Sequence, residues 1–182
     1  MPALHQRLHF DTARGQVLDA DRRYVLLRTD VLMGLFEELP AAARTEALRA
    51  FGRAVARRGA ESVRAYAGAV GNEGLPALME GAAASLGWGR WELTARAPAG
   101  ATASGDAAAA SWRLAVENSP FAAASAPGAT GPVCHAIAGM LEAVAGALGG
   151  RPAAAREIRC AAEHGGDTCH FVAEAVASGS TG

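Results

Sequence analysis

The chain has 182 residues, 51% of them hydrophobic and 19% charged, with a formal net charge of -1. That length suits one domain with a proper core and the balance is globular, not disordered. Every basic group is an arginine, and near-neutrality gives no support to nonspecific nucleic-acid binding, which needs a strongly basic face. No stretch reaches the roughly 18 uninterrupted apolar residues of a membrane span, and "MPALHQRLHF" lacks the pattern of a secretory signal. The expectation is a cytoplasmic protein with reduced thiols, and three cysteines, an odd number, fit a disulfide framework poorly.

In chain order, "RLHF" and "GQVLD" flank the turn "DTARG", and "DADRR" leads into "YVLLR", which predicts a strand over Tyr24–Arg28. A helix follows in "TDVLMGLFEELP", with Thr29 or Asp30 as cap and Leu32, Leu35, Phe36 and Leu39 on its buried face. From Ala41 to about Val70 the pattern is one long helix, or two joined near Gly59, with Leu48, Phe51, Val55, Val63, Tyr66 and Val70 as its apolar stripe. Gly52 and Gly59 each cost about 1 kcal/mol there relative to alanine, and close approach of another helix is the use expected of them. The basic cluster "RAVARRG" (residues 53–59) reads as a solvated helix face.

"GNEGLP" predicts a break and "ALMEGAAASLGWG" a short helix. "RWELTARA" and "WRLAVENSPF" alternate as strands, joined by the small-residue loop "PAGATASGDAAAAS". Pro132 is expected in the first turn of a helix through "PVCHAIAGMLEAVAGALGG", ended by Gly149-Gly150. "AAAREIRCAA" and "DTCHFVAEAVA" close the fold as a hairpin across "EHGGD", and "SGSTG" reads as a disordered tail over residues 178–182. The fold class is α+β, an antiparallel sheet packed against helices in one domain over residues 1–177.

The chemistry concentrates in "REIRCAAEHGGDTCHF". A hairpin turning at Gly165-Gly166 sets Cys169 opposite Ala162 and one diagonal from Cys160, on one face with Ile158 and Phe171. Cys134, at a helix start, is a third sulfur that the helix dipole helps to ionise. A buried hairpin with cysteines as small hydrophobes, a disulfide and a metal site all remain open at this point. Glu157, Glu163, His135, His164 and His170 are the other nearby donors.

"VENSPF", "PVCHAIAGMLEAVAGALGG" and "REIRCAAEHGGDTCHF" together resemble the 4-vinyl reductase domain family. The family ends on a cysteine at a helix start, then Glu-x-x-Cys, then Gly-Asp-x-x-Cys and an aromatic residue. Here Cys134, Glu157-Ile158-Arg159-Cys160 and Gly166-Asp167-Thr168-Cys169 stand in that order. The resemblance covers residues 110–175 specifically and includes zinc-containing sensor domains of aromatic-catabolism activators and bacteriochlorophyll-biosynthesis accessory proteins. It implies zinc held by Cys134, Glu157, Cys160 and Cys169, and a fold shared with trafficking-complex subunits and haem nitric-oxide sensors. In a regular strand Glu157 and Cys160 face opposite sides, so joint ligation needs a bulge or an early strand end, with His170 or Glu163 as substitutes.

That fold also implies a small apolar cavity. Phe51, Tyr66, Trp88, Trp91, Trp112, Phe121 and Met140 are the candidate lining, with His135 pointing in; Tyr66, Trp91, Trp112, Phe121 and His135 are the ligand-binding residues expected. The implied function is a zinc-stabilised, homodimeric module for a small hydrophobic or aromatic ligand, acting through a partner protein. Two alternatives stand beside it: an accessory or reductase role in tetrapyrrole 4-vinyl reduction, and a structural assembly subunit. A reductase would need a hydride source, and "GAVGNEG" follows a helix where a dinucleotide fingerprint follows a strand. A haem role would need His135 or His170 as axial ligand.

Overall fold

The computed structural model describes residues 4–96, 111–126 and 128–176. The loop expected over residues 98–111 lies almost entirely outside the described residues, as does the expected tail. A short helix α1 (Leu4–Arg7) precedes a three-stranded meander of β1 (His9–Asp11), β2 (Gln16–Asp19) and β3 (Arg22–Tyr24). Next come α2 (Thr29–Glu37) and the long α3 (Ala41–Ser85), then β4 (Arg90–Arg96), β5 (Ser111–Glu117) and α4 (Pro120–Ala123). The chain closes with α5 (His135–Gly149), β6 (Ala153–Arg159), α6 (Ala161–His164) and β7 (Thr168–Ala175). The main sheet is antiparallel in the order β4-β5-β7-β6.

The helix α5 sits at the centre, against α3 on one side and β6, β7 and β5 on the other. None of its residues from His135 to Gly149 is exposed, and Ile137, Leu141 and Val144 are fully buried. Backbone meets backbone where α3 and α5 cross. A Cβ on Gly139 would stand 2.1 Å from the Gly52 carbonyl oxygen, and one on Gly52 would stand 2.5 Å from that of His135. Only glycine admits that approach. Gly59 makes room for the Met140 methyl, so both expected contacts of α3 are with α5.

Several local expectations are corrected. The strand predicted over Tyr24–Arg28 stops at Tyr24, the last residue paired with β2, which itself begins at Gln16 and can face no residue beyond Val25. Val25, Leu26 and Leu27 are left 80%, 69% and 54% exposed. Neither Thr29 nor Asp30 caps α2: Arg28 holds the cap position without a side-chain bond, and Asp30 instead pairs with Arg28. On α2 the buried residues are Met33 and Phe36, with Leu35 exposed. The expected break at "GNEGLP" is present: Gly71 leaves helical geometry (φ 71°, ψ 172°), so α3 is two helical segments joined at a kink, the second carrying Pro76 and ending at Ser85. Pro132 precedes α5 by three residues instead of opening it.

Candidate metal centre

The site is assembled from three ends of secondary structure. Cys134 is the residue just before α5, Cys160 lies between β6 and α6, and Cys169 is the second residue of β7. All three sulfurs are buried, and none is in a disulfide. Glu157 reaches them because the β6–β7 register breaks between Glu157, paired with Phe171, and Arg159, paired with His170. The break turns Ile158 outward, 45% exposed, which corrects its expected place beside the cysteines. β6 also ends at Arg159, so a bulge and an early strand end act together to bring Glu157 and Cys160 to one point. The turn is longer than a Gly-Gly hairpin, since α6 intervenes before Gly165 and Gly166, both at positive φ. Cys169 therefore meets Ala161, whose N–H donates to its sulfur at 3.3 Å, and does not sit opposite Ala162.

The ligating atoms of Cys134, Glu157, Cys160 and Cys169 all lie within 4.8 Å of one another. The Cys134 and Cys169 sulfurs are 3.8 Å apart. Two sulfurs on a tetrahedral ion with bonds of about 2.3 Å stand about 3.8 Å apart, so this spacing is that of a tetrahedron's edge. The Cys134 N–H donates to Glu157 Oε2 at 3.0 Å, which explains why α5 starts after Cys134 and not at Pro132. Glu157 Oε1 is buried with no hydrogen-bond partner among the described residues. A buried carboxylate oxygen left unpaired is costly, and a cation is the partner it lacks.

Each sulfur also has a donor aimed at it. Ser119 Oγ lies 3.2 Å from Cys134 Sγ, the Val133 N–H faces Cys160, and the Ala161 N–H faces Cys169. Such donors orient metal ligands and tune their charge. Ser119, 2% exposed and also the cap of α4, is a residue the sequence reading leaves unassigned. A signal for it exists, since it lies in "VENSPF", one of the stretches that carry the resemblance.

The electrostatics state the same need. Burial first, and the Cys160 sulfur second, push the Glu157 carboxyl up to about 8 against the pull of the Cys134 N–H. Hydrogen bonds to Cys160 and Cys169, then burial, raise the Cys134 thiol. Cys160 is lowered, first by its bond from Cys134. For Cys169 the bond with Cys134 pulls down, but the bond with Cys160 and burial outweigh it, and the thiol is pushed up to about 12. Four acidic groups this close cannot all ionise unless a cation compensates them. The donor set fits a thiophilic ion, and four protein ligands leave no open position.

The other candidate donors lie elsewhere. His170 lines a groove on the outer face of the sheet with Arg113 and Arg159, and the His164 ring contacts the Cys160 carbonyl oxygen at 3.2 Å and Glu163 at 3.6 Å. Neither His170 nor Glu163 joins the cluster.

The five expected ligand-binding residues do not share one pocket. Tyr66 and Trp91 line a cavity of about 70 Å³ between α3, α5 and the N-terminal segment, together with Tyr24, Met79, Trp88 and Met140. Phe121 is buried edge-on against Trp88 and Phe51, as core. His135 opens onto a separate groove between α2, α3 and the chain before α5, where burial and then Arg49 lower its pKa. Trp112 is half-buried beside the end of α5, near Ala145 and Gly149.

Residues 112–175 match the 4-vinyl reductase domain. The matched segment contains all four clustered residues. No curated protein sequence matches the chain. Among solved structures the chain is similar to the phenol-responsive sensory domain of the transcription activator PoxR with phenol. Identity is 22% and the TM-score 0.75, with 94% of this chain and 86% of that one covered. A vinyl-4-reductase family protein from Methanocaldococcus jannaschii is matched at 15% identity and TM-score 0.44, covering 82% of this chain and 91% of that one. The fold is that of the PoxR sensory domain, helices against an antiparallel sheet, as the sequence pattern implied. No helix among the described residues is long and apolar enough to cross a membrane.

Proposed function

We propose that the chain is a zinc-stabilised binding module for a small aromatic or otherwise hydrophobic ligand, a sensor that acts as a homodimer through a partner protein in the cytoplasm. The observation that carries the zinc assignment is the orphaned Glu157 Oε1 beside three buried, donor-supported sulfurs, two of them 3.8 Å apart as on a tetrahedral ion. Zinc favours sulfur-rich four-coordinate sites. With three thiolates and one carboxylate the complex carries a charge of about -2, and with no open position its role is to tie α5 to the closing strands, not to catalyse.

The ligand half of the reading rests on the cavity beside Trp91 and on the likeness to a sensory domain described as phenol-responsive. At about 70 Å³ the cavity has roughly half the volume of an apolar cavity known to admit benzene, about 150 Å³. Entry of an aromatic ring therefore requires Met79 and Met140, flexible thioethers on its wall, to turn aside. An output through another protein is supported by the apolar strip of Val25, Leu26, Leu27, Val31 and Leu35, all more than half exposed.

The test is elemental analysis of freshly purified protein, followed by calorimetric titration of the metal-loaded protein with phenol. One zinc per chain and saturable binding are expected. Metal-free protein, or a titration with no heat and no thermal shift, rejects the corresponding half.

A further inference from the structure

The cavity beside Trp91 is lined mainly by apolar side chains. Leu4 and Tyr24 on its wall come from the N-terminal segment and Ser62 and Tyr66 from α3, and Tyr24, Ser62 and Tyr66 are the lining residues that carry hydroxyls. The one other polar atom with a fixed role is the Trp91 indole N–H, which already donates to the Trp88 carbonyl at 3.1 Å. Arg7 backs this end. Its Nε donates to Asp19 Oδ1 at 3.1 Å and its Nη2 to Asp19 Oδ2, while Nη2 also donates to the Tyr66 hydroxyl at 3.2 Å. The guanidinium carbon stands 5.4 Å from the centre of the Tyr66 ring. Asp19 is 5% exposed and Tyr66 7%.

This arrangement settles which way the Tyr66 hydroxyl is used. Its oxygen accepts from Arg7, so its own proton is the half of the group still to be placed, and a guanidinium, which only donates, cannot take it. No other partner for that proton occurs among the described residues, nor any hydrogen bond from the hydroxyls of Tyr24 and Ser62. The positive charge behind the oxygen makes the Tyr66 O–H a stronger donor. A neutral apolar molecule would leave this donor unpaired inside a dry cavity, at a cost of its own.

We infer that the ligand carries one hydrogen-bond-accepting oxygen on an otherwise apolar body, and that the Tyr66 hydroxyl, backed by the Arg7–Asp19 pair, is the group that selects it. The inference rests on the ligand reading above and adds to it the polarity of the ligand and the residues that read it. It also makes the N-terminal segment part of the binding site, since Arg7 and Asp19 lie on α1 and β2.

The experiment compares phenol, benzaldehyde and toluene, bodies of similar size that accept and donate, accept only, and do neither. Each is titrated into the metal-loaded full chain and into Tyr66→Phe, which keeps the ring and removes the donor. Phenol and benzaldehyde are expected to bind about tenfold more tightly than toluene, the worth of one added hydrogen bond. Tyr66→Phe should bring all three to one common level, with toluene bound at least as tightly as by the unaltered chain, which also reports that the variant is folded. Equal binding of all three by the unaltered chain, benzaldehyde grouping with toluene, or a Tyr66→Phe protein that still discriminates overturns the inference and leaves the ligand reading standing. Binding of none of the three rejects both.

Discussion

The two ends of the molecule handle buried charge by different means. At the C-terminal end, Glu157 and three sulfurs gather with no basic side chain bonded to any of them among the described residues. At the N-terminal end, Asp19 is equally hidden, but Arg7 answers it with two hydrogen bonds. The carboxylate of one cluster is neutralised within the chain, and that of the other is not. The difference teaches where to look for an ion: a buried acid with its own arginine is already neutralised, whereas a buried acid without one calls for a cation.

Replacing Cys169 by Ser attacks the side that needs an outside ion, and it carries the largest expected effect. Zinc should be lost, and stability should fall by about 4 kcal/mol or more, because the remaining acids stay buried without compensation. For a chain of this length that is a drop in melting temperature of about 8–16 °C. Chelation of the unaltered protein should lower the melting point comparably, and an unchanged melt after verified zinc removal breaks the comparison.

Next in size is the pH dependence of the metal's contribution. Cys134, Cys169 and Glu157 all have raised pKa values, the last two at about 12 and about 8, so at pH 7 each holds a proton that ligation must displace. Acid therefore favours the ion-free state. The zinc-dependent gain in melting temperature should shrink as pH falls from 8 to 6 and grow as it rises. Below about 8 three protons leave per ion bound and above it two, since Glu157 is then already ionised. Calorimetry in buffers of different ionisation heat counts them; a gain independent of pH refutes the assignment of these groups as ligands.

Replacing Asp19 by Asn probes the self-contained cluster and should cost less, about 2 kcal/mol or a 4–8 °C lower melting temperature. Zinc content should be unaffected, because the two clusters sit on different sheets. Loss of zinc in this variant would show that the ends are coupled and the comparison too simple. The smallest effect belongs to Arg28→Ala. Its ion pair with Asp30 joins side chains that are 79% and 57% exposed, and the melting temperature should not move measurably.

How legible each end was in the sequence follows from the same contrast. The metal cluster left a trace in the order of residue types, because thiol ligands cannot be exchanged for other side chains, and even the bulge at Ile158 could be anticipated from the conflict between Glu157 and Cys160. Arg7 and Asp19 left none. An arginine and an aspartate twelve residues apart look like any surface pair until the meander folds. Burial of Met33 in place of Leu35 was equally hidden, since several apolar residues in α2 allow more than one stripe and packing against α3 chooses between them. The ligand-binding set was dispersed for that reason too: Tyr66, Trp91, Trp112, Phe121 and His135 are large residues spread over one extended core, and size alone does not say which cavity wall each will form.

The strand order of the main sheet carries a consequence for biosynthesis. β7 is made after the other strands of this sheet, yet it lies inside the sheet, between β5 and β6. Until residues 168–175 have been translated, the nascent chain has two separated strand edges, an unsheltered α5 and only two of its three thiols. Closure of this sheet therefore waits for β7, so a chain cut short before this strand yields a product for the proteases and not a weakened protein.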